Sequence, residues 1–214
     1  HTLYVQERNA AGNWSLSGSR TIVIDTTGPT ANFTAATDNV GTVTGALTSG
    51  DTTDDTALVL SGTNESGSSV MVYNGITELD NATVSGTSWS YTATVANGTT
   101  YQFNVKETDL AGNTSAATSN FTVIGDTTQT ANFTAATDNV GTVQGALTSG
   151  NTTDDTALVL SGTNDSGSSV MVYNISTQLG AATVSGTNWS YSATVANGTT
   201  YQFNVRETDL AGNT

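Results

Sequence analysis

The sequence predicts an all-β protein built from tandem immunoglobulin-like β-sandwich domains of about seven strands each. Three observations predict it: a repeat of domain length, short runs in which apolar and polar residues alternate, and turn-forming clusters between those runs. The repeat carries most weight. ANFTAATDNVGTV at 31–43 returns at 131–143, TTDDTALVLSGTN at 52–64 returns at 152–164, and GTTYQFNV at 98–105 returns at 198–205. Aligning 31–114 with 131–214 gives 73 identities in 84 positions at a spacing of 100 residues. A fixed period marks an array. This one is longer than a solenoid layer and suits a complete domain.

Within each repeat the alternation has the period of two expected of a half-buried strand. Candidate strands lie near 31–36, 56–62, 69–74, 82–85, 88–95, 100–108 and 117–124. In the sixth, Tyr101, Phe103 and Val105 share one face and Gln102, Asn104 and Lys106 the other. Trp89, Tyr91 and Ala93 share a face of the fifth, and Val70 and Val72 a face of the third. That parity makes Trp89 and Trp189 core residues rather than a sugar-stacking platform. Seven short strands in about 100 residues suit a sandwich. Tyr101, just after the Asn97-Gly98 turn, is placed like the tyrosine of a tyrosine corner.

The phase of the array sets the expected domain organisation. AAGN at 10–13 matches LAGN at 110–113 and 210–213. Residues 1–25 therefore correspond to the C-terminal strands of a preceding repeat, 26–125 to a complete repeat, and 126–214 to a repeat lacking its last strand. The chain reads either as an excerpt of a longer array or as a subunit exchanging strands with other copies. Residues 1–25 carry the apolar Leu3, Val5, Ile22 and Ile24. An isolated hairpin is marginal in water, so this segment is expected to pack on something.

Composition narrows the function. With 18 acidic and 4 basic residues the formal net charge is −14. A nucleic-acid partner is not expected, because no basic surface can displace counterions from phosphates. No apolar run reaches membrane-spanning length, so membrane insertion of this segment is not expected either. Cysteine is absent, which excludes disulfides and thiolate metal sites. The single histidine stands at residue 1, which argues against a Ser-His-Asp triad. No catalytic constellation is evident, and the chain is expected not to be an enzyme. The Asn-x-Thr sequons, at Asn32, Asn97 and Asn197 among others, follow from a Thr-rich chain.

Several motifs in order, TDNVGTVTGALTSGDTTDDTALVLSGT at 37–63, VMVYNG, SWSYTATV and TYQFNVKETDLAGNT at 100–114, resemble the bacterial Ig-like repeats of large RTX-type and biofilm-associated surface adhesins. The resemblance covers essentially the whole chain. It departs from the pattern where Gln129 replaces the linker proline present as Pro29, and where Asn9 replaces the aspartate of the turn. The resemblance implies an extracellular, cell-surface stalk, with neighbouring repeats as partners and Ca²⁺ between domains. Other copies of the chain are further candidate partners, by strand exchange or bundling. The alternative function is a carbohydrate- or protein-binding module.

The acidic residues give the calcium expectation a location. In this topology the turn after the sixth strand lies at the incoming end of a domain, and the first long loop at the outgoing end. Asp109 should approach the linker carrying Asp25. The loop 38–55, with Asp38, Asp54 and Asp55, should approach the linker carrying Asp126 and the next domain's Asp209 and Glu207. Carboxylates a few ångströms apart repel by about 1 kcal/mol per pair even in water. Ca²⁺, which takes oxygen ligands, would relieve this. Zn²⁺ is not expected with one histidine and no cysteine. Glu107 continues the inward parity of Phe103 and Val105, as a ligand or as a hydrogen-bonded strut. Asp54 and Asp55 are ligands or caps of their own turn. Asn151 replaces Asp51 in the second copy, so Asp51 is dispensable. The competing reading of the acids is solubility through like charge.

Overall fold

A computed structural model describes residues 1–214 and is all-β, with two β-sandwiches in tandem. A hairpin of β1 (Thr2–Val5) and β2 (Gly18–Thr21) comes first. The first sandwich follows: β3 (Asn32–Asp38), β4 (Gly45–Ala46), β5 (Thr52–Thr53), β6 (Ala57–Thr63), β7 (Ser69–Asn74), β8 (Thr77–Asn81), β9 (Thr83–Ser85), β10 (Ser88–Thr94), β11 (Thr100–Thr108) and β12 (Phe121–Gly125). The second holds β13 (Asn132–Asp138), β14 (Gly145–Leu147), β15 (Ala157–Thr163), β16 (Ser169–Asn174), β17 (Thr177–Ala181), β18 (Thr183–Ser185), β19 (Asn188–Thr194) and β20 (Phe203–Thr208).

In the first sandwich the sheets run β4-β3-β6-β10-β9 and β5-β12-β11-β7-β8. All seven expected strands form. The short β4, β5 and β8 are additional, and each lies at a sheet margin where little apolar patterning is needed. Leu58, Leu60, Trp89 and Ala93 from one sheet meet Val70, Val72, Phe103, Val105 and Val123 from the other in a single buried core. Each large aliphatic or aromatic side chain so buried contributes about 1.5–3 kcal/mol. Trp89 is a core residue, as its parity predicts, and its Nε1 donates to the Asn32 carbonyl at 3.0 Å. Tyr101 makes the tyrosine corner: its hydroxyl accepts the Ala96 N–H at 3.0 Å, and Tyr201 does the same with Ala196.

Asn104 departs from the simple alternation. It faces away from the core yet is buried, because its Nδ2 donates to Gly75 O and Asn120 Oδ1. In the second sandwich the sheets run β14-β13-β15-β19-β18 and β17-β16-β20. Phe203 and Val205 are only half-buried there, since no strand covers them as β12 covers Phe103 and Val105.

The hairpin corrects one expectation. β1 and β2 pair from Thr2↔Thr21 to Val5↔Gly18, but Leu3, Val5, Ile22 and Ile24 are exposed and pack on neither sandwich. The counterpart strands β11 and β12 rely on β7 and β5 of their own repeat, and residues 1–25 have no such neighbours.

Candidate functional site: the junction between the sandwiches

The loop joining β3 to β6, at the outgoing end of the first sandwich, receives the turn after β20, at the incoming end of the second. Thr42 Oγ1 donates to Gly212 O at 3.0 Å, and Asn213 Nδ2 donates to the linker carbonyl of Asp126 at 2.9 Å. A Cβ placed on Gly212 would stand 2.8 Å from Val43 N and 3.1 Å from Thr42 N, so the two backbones meet with no room for a side chain. The linker is tied on both sides. Asp126 N donates to Thr53 O at 2.9 Å, and Asn97 Oδ1 accepts Thr127 N at 2.8 Å. Beyond it, Thr130 N and Oγ1 donate to the Asp165 carboxylate at 2.9 and 2.6 Å.

The two repeats provide their own comparison, because the same loop and turn occur once docked and once undocked. Val43 is 48% exposed and Val143 81%. Ala211 is 1% exposed, while Ala111 lies open. Asp209 is buried and Asp109 half-buried; Asp54 is half-buried and Asp154 exposed. With the local sequences nearly identical, these differences come from docking.

The expected site residues fall into three groups. Asp38, Asp54, Asp55 and Asp209 converge at the junction. Asp38 Oδ2 accepts the Thr53 hydroxyl at 2.5 Å and its Oδ1 accepts Val40 N at 2.9 Å. Asp55 caps its own turn, accepting Ala57 N at 2.8 Å. Asp209 Oδ1 accepts the amides of Ala211, Gly212 and Asn213 at 2.8–3.0 Å, and its Oδ2 accepts Asn213 Nδ2 at 2.8 Å. Asp54 alone keeps a buried oxygen, Oδ1, without a partner.

The second group borders the linkers. Asp126 takes part mainly through its backbone, its Oδ1 accepting Thr128 N at 3.3 Å. Asp25 and Asp109 form the corresponding pair upstream: Asn113 Nδ2 donates to Asp25 O at 3.4 Å, and Asp109 cradles Ala111 and Asn113 as Asp209 does its own turn.

Glu107 and Glu207 form the third group, and their oxygen contacts are those of the strut alternative. Glu107 Oε1 accepts Glu65 N and Ser68 Oγ, each at 2.5 Å, and Glu207 Oε1 accepts Asp165 N at 2.6 Å. Each pins the loop after β6 or β15, and each Oε2 is buried without a partner. As the side chains stand, no three acidic or histidine residues adopt a metal-holding arrangement. The free Asp54 oxygen is the point at this junction to which a hard cation would be drawn, with Asp38, Asp55 and Asp209 supplying negative field.

Burial pushes the Asp54 carboxyl above its ordinary value of 3.8, and the charges of Asp38, Asp209 and Asp55 raise it further against a backbone hydrogen bond that lowers it. Docking is what brings Asp209 near and removes water from Asp54. The docked state therefore holds the Asp54 proton more tightly, and docking strengthens as pH falls through the raised pKa toward 3.8. Asp109 behaves oppositely. Its hydrogen bond from Asn113, and those from the Ala111 and Gly112 amides, lower its pKa. The stability it lends its turn is present above 3.8 and is lost only as pH falls through the depressed value. In chelator, small-angle scattering should thus show a stiffer chain just above pH 3.8 than at neutrality, and equal flexibility at both would contradict this.

Asn97, Asn213, Thr42 and Gly212, none of them acidic, also hold the junction. Their available signals were the turn motifs Asn-Gly at 97–98 and Leu-Ala-Gly-Asn at 210–213. Compared with known proteins, the chain matches no family model and no curated protein.

Proposed function

We propose that the chain is a non-catalytic structural extender, a stalk segment of a large secreted bacterial adhesin or cell-surface filament, whose interdomain joints are stiffened by Ca²⁺. The observation that carries this reading is the buried, unpartnered Asp54 oxygen at a junction to which Asp38, Asp55 and Asp209 add negative charge. Charge of one sign, desolvated by docking, opposes docking unless a cation or a proton offsets it. Ca²⁺ is favoured over Mg²⁺ because it accepts irregular sets of carbonyl and carboxylate oxygens at variable geometry.

The direct hydrogen bonds at Thr42, Asn97 and Asn213 orient the joint, and the cation deepens the docked well. This division of labour is testable. Small-angle scattering of the chain in Ca²⁺ and in chelator should give an extended rod in the first and a broader, more flexible ensemble in the second. Circular dichroism should be the same in both, because the sandwiches keep their own cores. Asp54→Asn, which removes the charge that Asp38, Asp55 and Asp209 repel, should be more rod-like in chelator than the parent chain. Identical scattering with and without Ca²⁺ for the parent chain would refute the cation's role.

A further inference from the structure

The two repeats differ at 11 of 84 aligned positions, and five of these cluster in one hairpin: 75, 76, 78, 80 and 81 against 175, 176, 178, 180 and 181. That hairpin carries the outermost strand of its sheet in each repeat, β8 in the first and β17 in the second. An edge strand offers unpaired backbone donors and acceptors to any extended chain, and charged side chains are a common guard against this. β8 is so guarded. Glu78 and Asp80 are both exposed, and Glu78 also accepts the Tyr73 hydroxyl at 3.1 Å. β17 has Gln178 and Gly180 at these positions and no charge along its length.

A second observation falls on the same hairpin. Ile175 adopts φ 58 at the tip where the first repeat has Gly75 at φ 60. The left-handed region is unfavourable for a β-branched residue. Here it holds an apolar side chain that is 64% exposed beside Leu179, itself 38% exposed. Ile175 is not part of the second sandwich's core, and the first repeat also exposes Ile76 at its hairpin tip, so what sets the second hairpin apart is a strained apolar tip joined to an edge without charge.

We propose that β17 is a self-association edge, pairing antiparallel with β17 of a second copy of this chain about a two-fold axis. Register decides the occupant. Centred on Leu179, antiparallel pairing sets Gln178 opposite Gly180 and Thr177 opposite Ala181, with no charge opposed to charge. The same register in β8 would set Glu78 opposite Asp80 twice across the axis, and like charges directly opposite are destabilising. Every other uncharged edge strand is shorter than β17: β1 has four residues, β14 three, and β4 and β5 two each. β9 and β18 are uncharged but only three residues long. The pairing slip between Val172 and Tyr173, shared with β7, makes Leu179 itself the extra residue of a bulge, which twists the edge. The contact is therefore short and the association weak, in the size class of transient interfaces. It is independent of any cation at the junction.

The test uses the full 214-residue chain in chelator. Sedimentation equilibrium should show a reversible dimer, and hydrogen exchange should show concentration-dependent protection confined to 175–181. Gln178→Glu with Gly180→Asp installs the residues that the first repeat carries; because a Cβ on Gly180 would stand 3.2 Å from Tyr191 Oη, Gln178→Glu alone is the second variant and should weaken association in the same direction. The double variant should associate at least about tenfold more weakly, four carboxylates meeting across the axis. The reciprocal Glu78→Gln with Asp80→Gly should create a second associating edge and species larger than a dimer. A parent chain that remains monomeric, an association unchanged by Gln178→Glu with Gly180→Asp, or protection on β20 instead of β17 would each overturn the proposal.

Discussion

Replacing Gly212 by alanine is expected to part the two sandwiches while leaving both folded. The added Cβ has to displace the Val43 and Thr42 backbones, and at φ +97 an L-residue is strained as well. The strain alone costs about 1–2 kcal/mol. The clash adds the loss of the Thr42 and Asn213 hydrogen bonds across the junction, each worth about 0.5–1.5 kcal/mol net. Gly112 is the internal control. It occupies the same turn at φ +91, and a Cβ there meets nothing within 4 Å. Gly112→Ala should therefore soften its own turn and leave the interdomain angle unchanged. Residual dipolar couplings or small-angle scattering would read the difference. Equal interdomain order in the two variants would show that the Gly212 contact does not hold the joint.

The second large effect lies in the core. Gly62 on β6 stands under Trp89 of β10, its pairing partner, and beside β3. A Cβ there would overlap the Asn32 carbonyl and stand 2.6 Å from Trp89 Nε1. No rotamer change of a flexible tip can relieve this, because one obstacle is backbone and the other a packed indole. Overpacking costs about 1–3 kcal/mol, and stranding the Trp89 N–H or the Asn32 carbonyl adds about 1–3 kcal/mol. Gly62→Ala should lower the melting temperature of the first sandwich by on the order of 15 °C, at 4–8 °C per kcal/mol for a domain of this size. The second sandwich should melt as before, and Gly162→Ala should reverse the assignment. A Gly62→Ala chain that melts with the parent would mean that the indole is not fixed where it lies.

These variants also show where the sequence was legible. Alternation identified the strands that bury a face, because a period of two leaves Phe103, Val105, Val70 and Val72 no other arrangement. It missed β4 and β8, whose residues are all exposed, and β5, whose buried Thr53 is polar and leaves no apolar alternation. Trp89 and the Tyr101 corner were readable from parity and turn position. Gly62 was not, since a glycine beneath an indole looks in sequence like any glycine in a weak strand.

The same division runs through the junction. The repeat phase was enough to direct Asp38, Asp54, Asp55 and Asp209 toward one another, because chain direction in a sandwich fixes which loops meet. Which oxygens remained free was a matter of local geometry. Asp209 and Asp109 satisfy theirs with amides of their own turns, Asp55 caps Ala57, and Glu107 and Glu207 hold the loops before β7 and β16. The sequence by itself determined the all-β class, the repeat and the strands that face the core, because those follow from periodicity alone. Only the tertiary structure decided that Asp54 keeps an unpartnered oxygen at the junction, that Gly212 is the point of backbone contact, and that the β1–β2 hairpin packs on neither sandwich. Each depends on distances between segments remote in the chain, which no local pattern encodes.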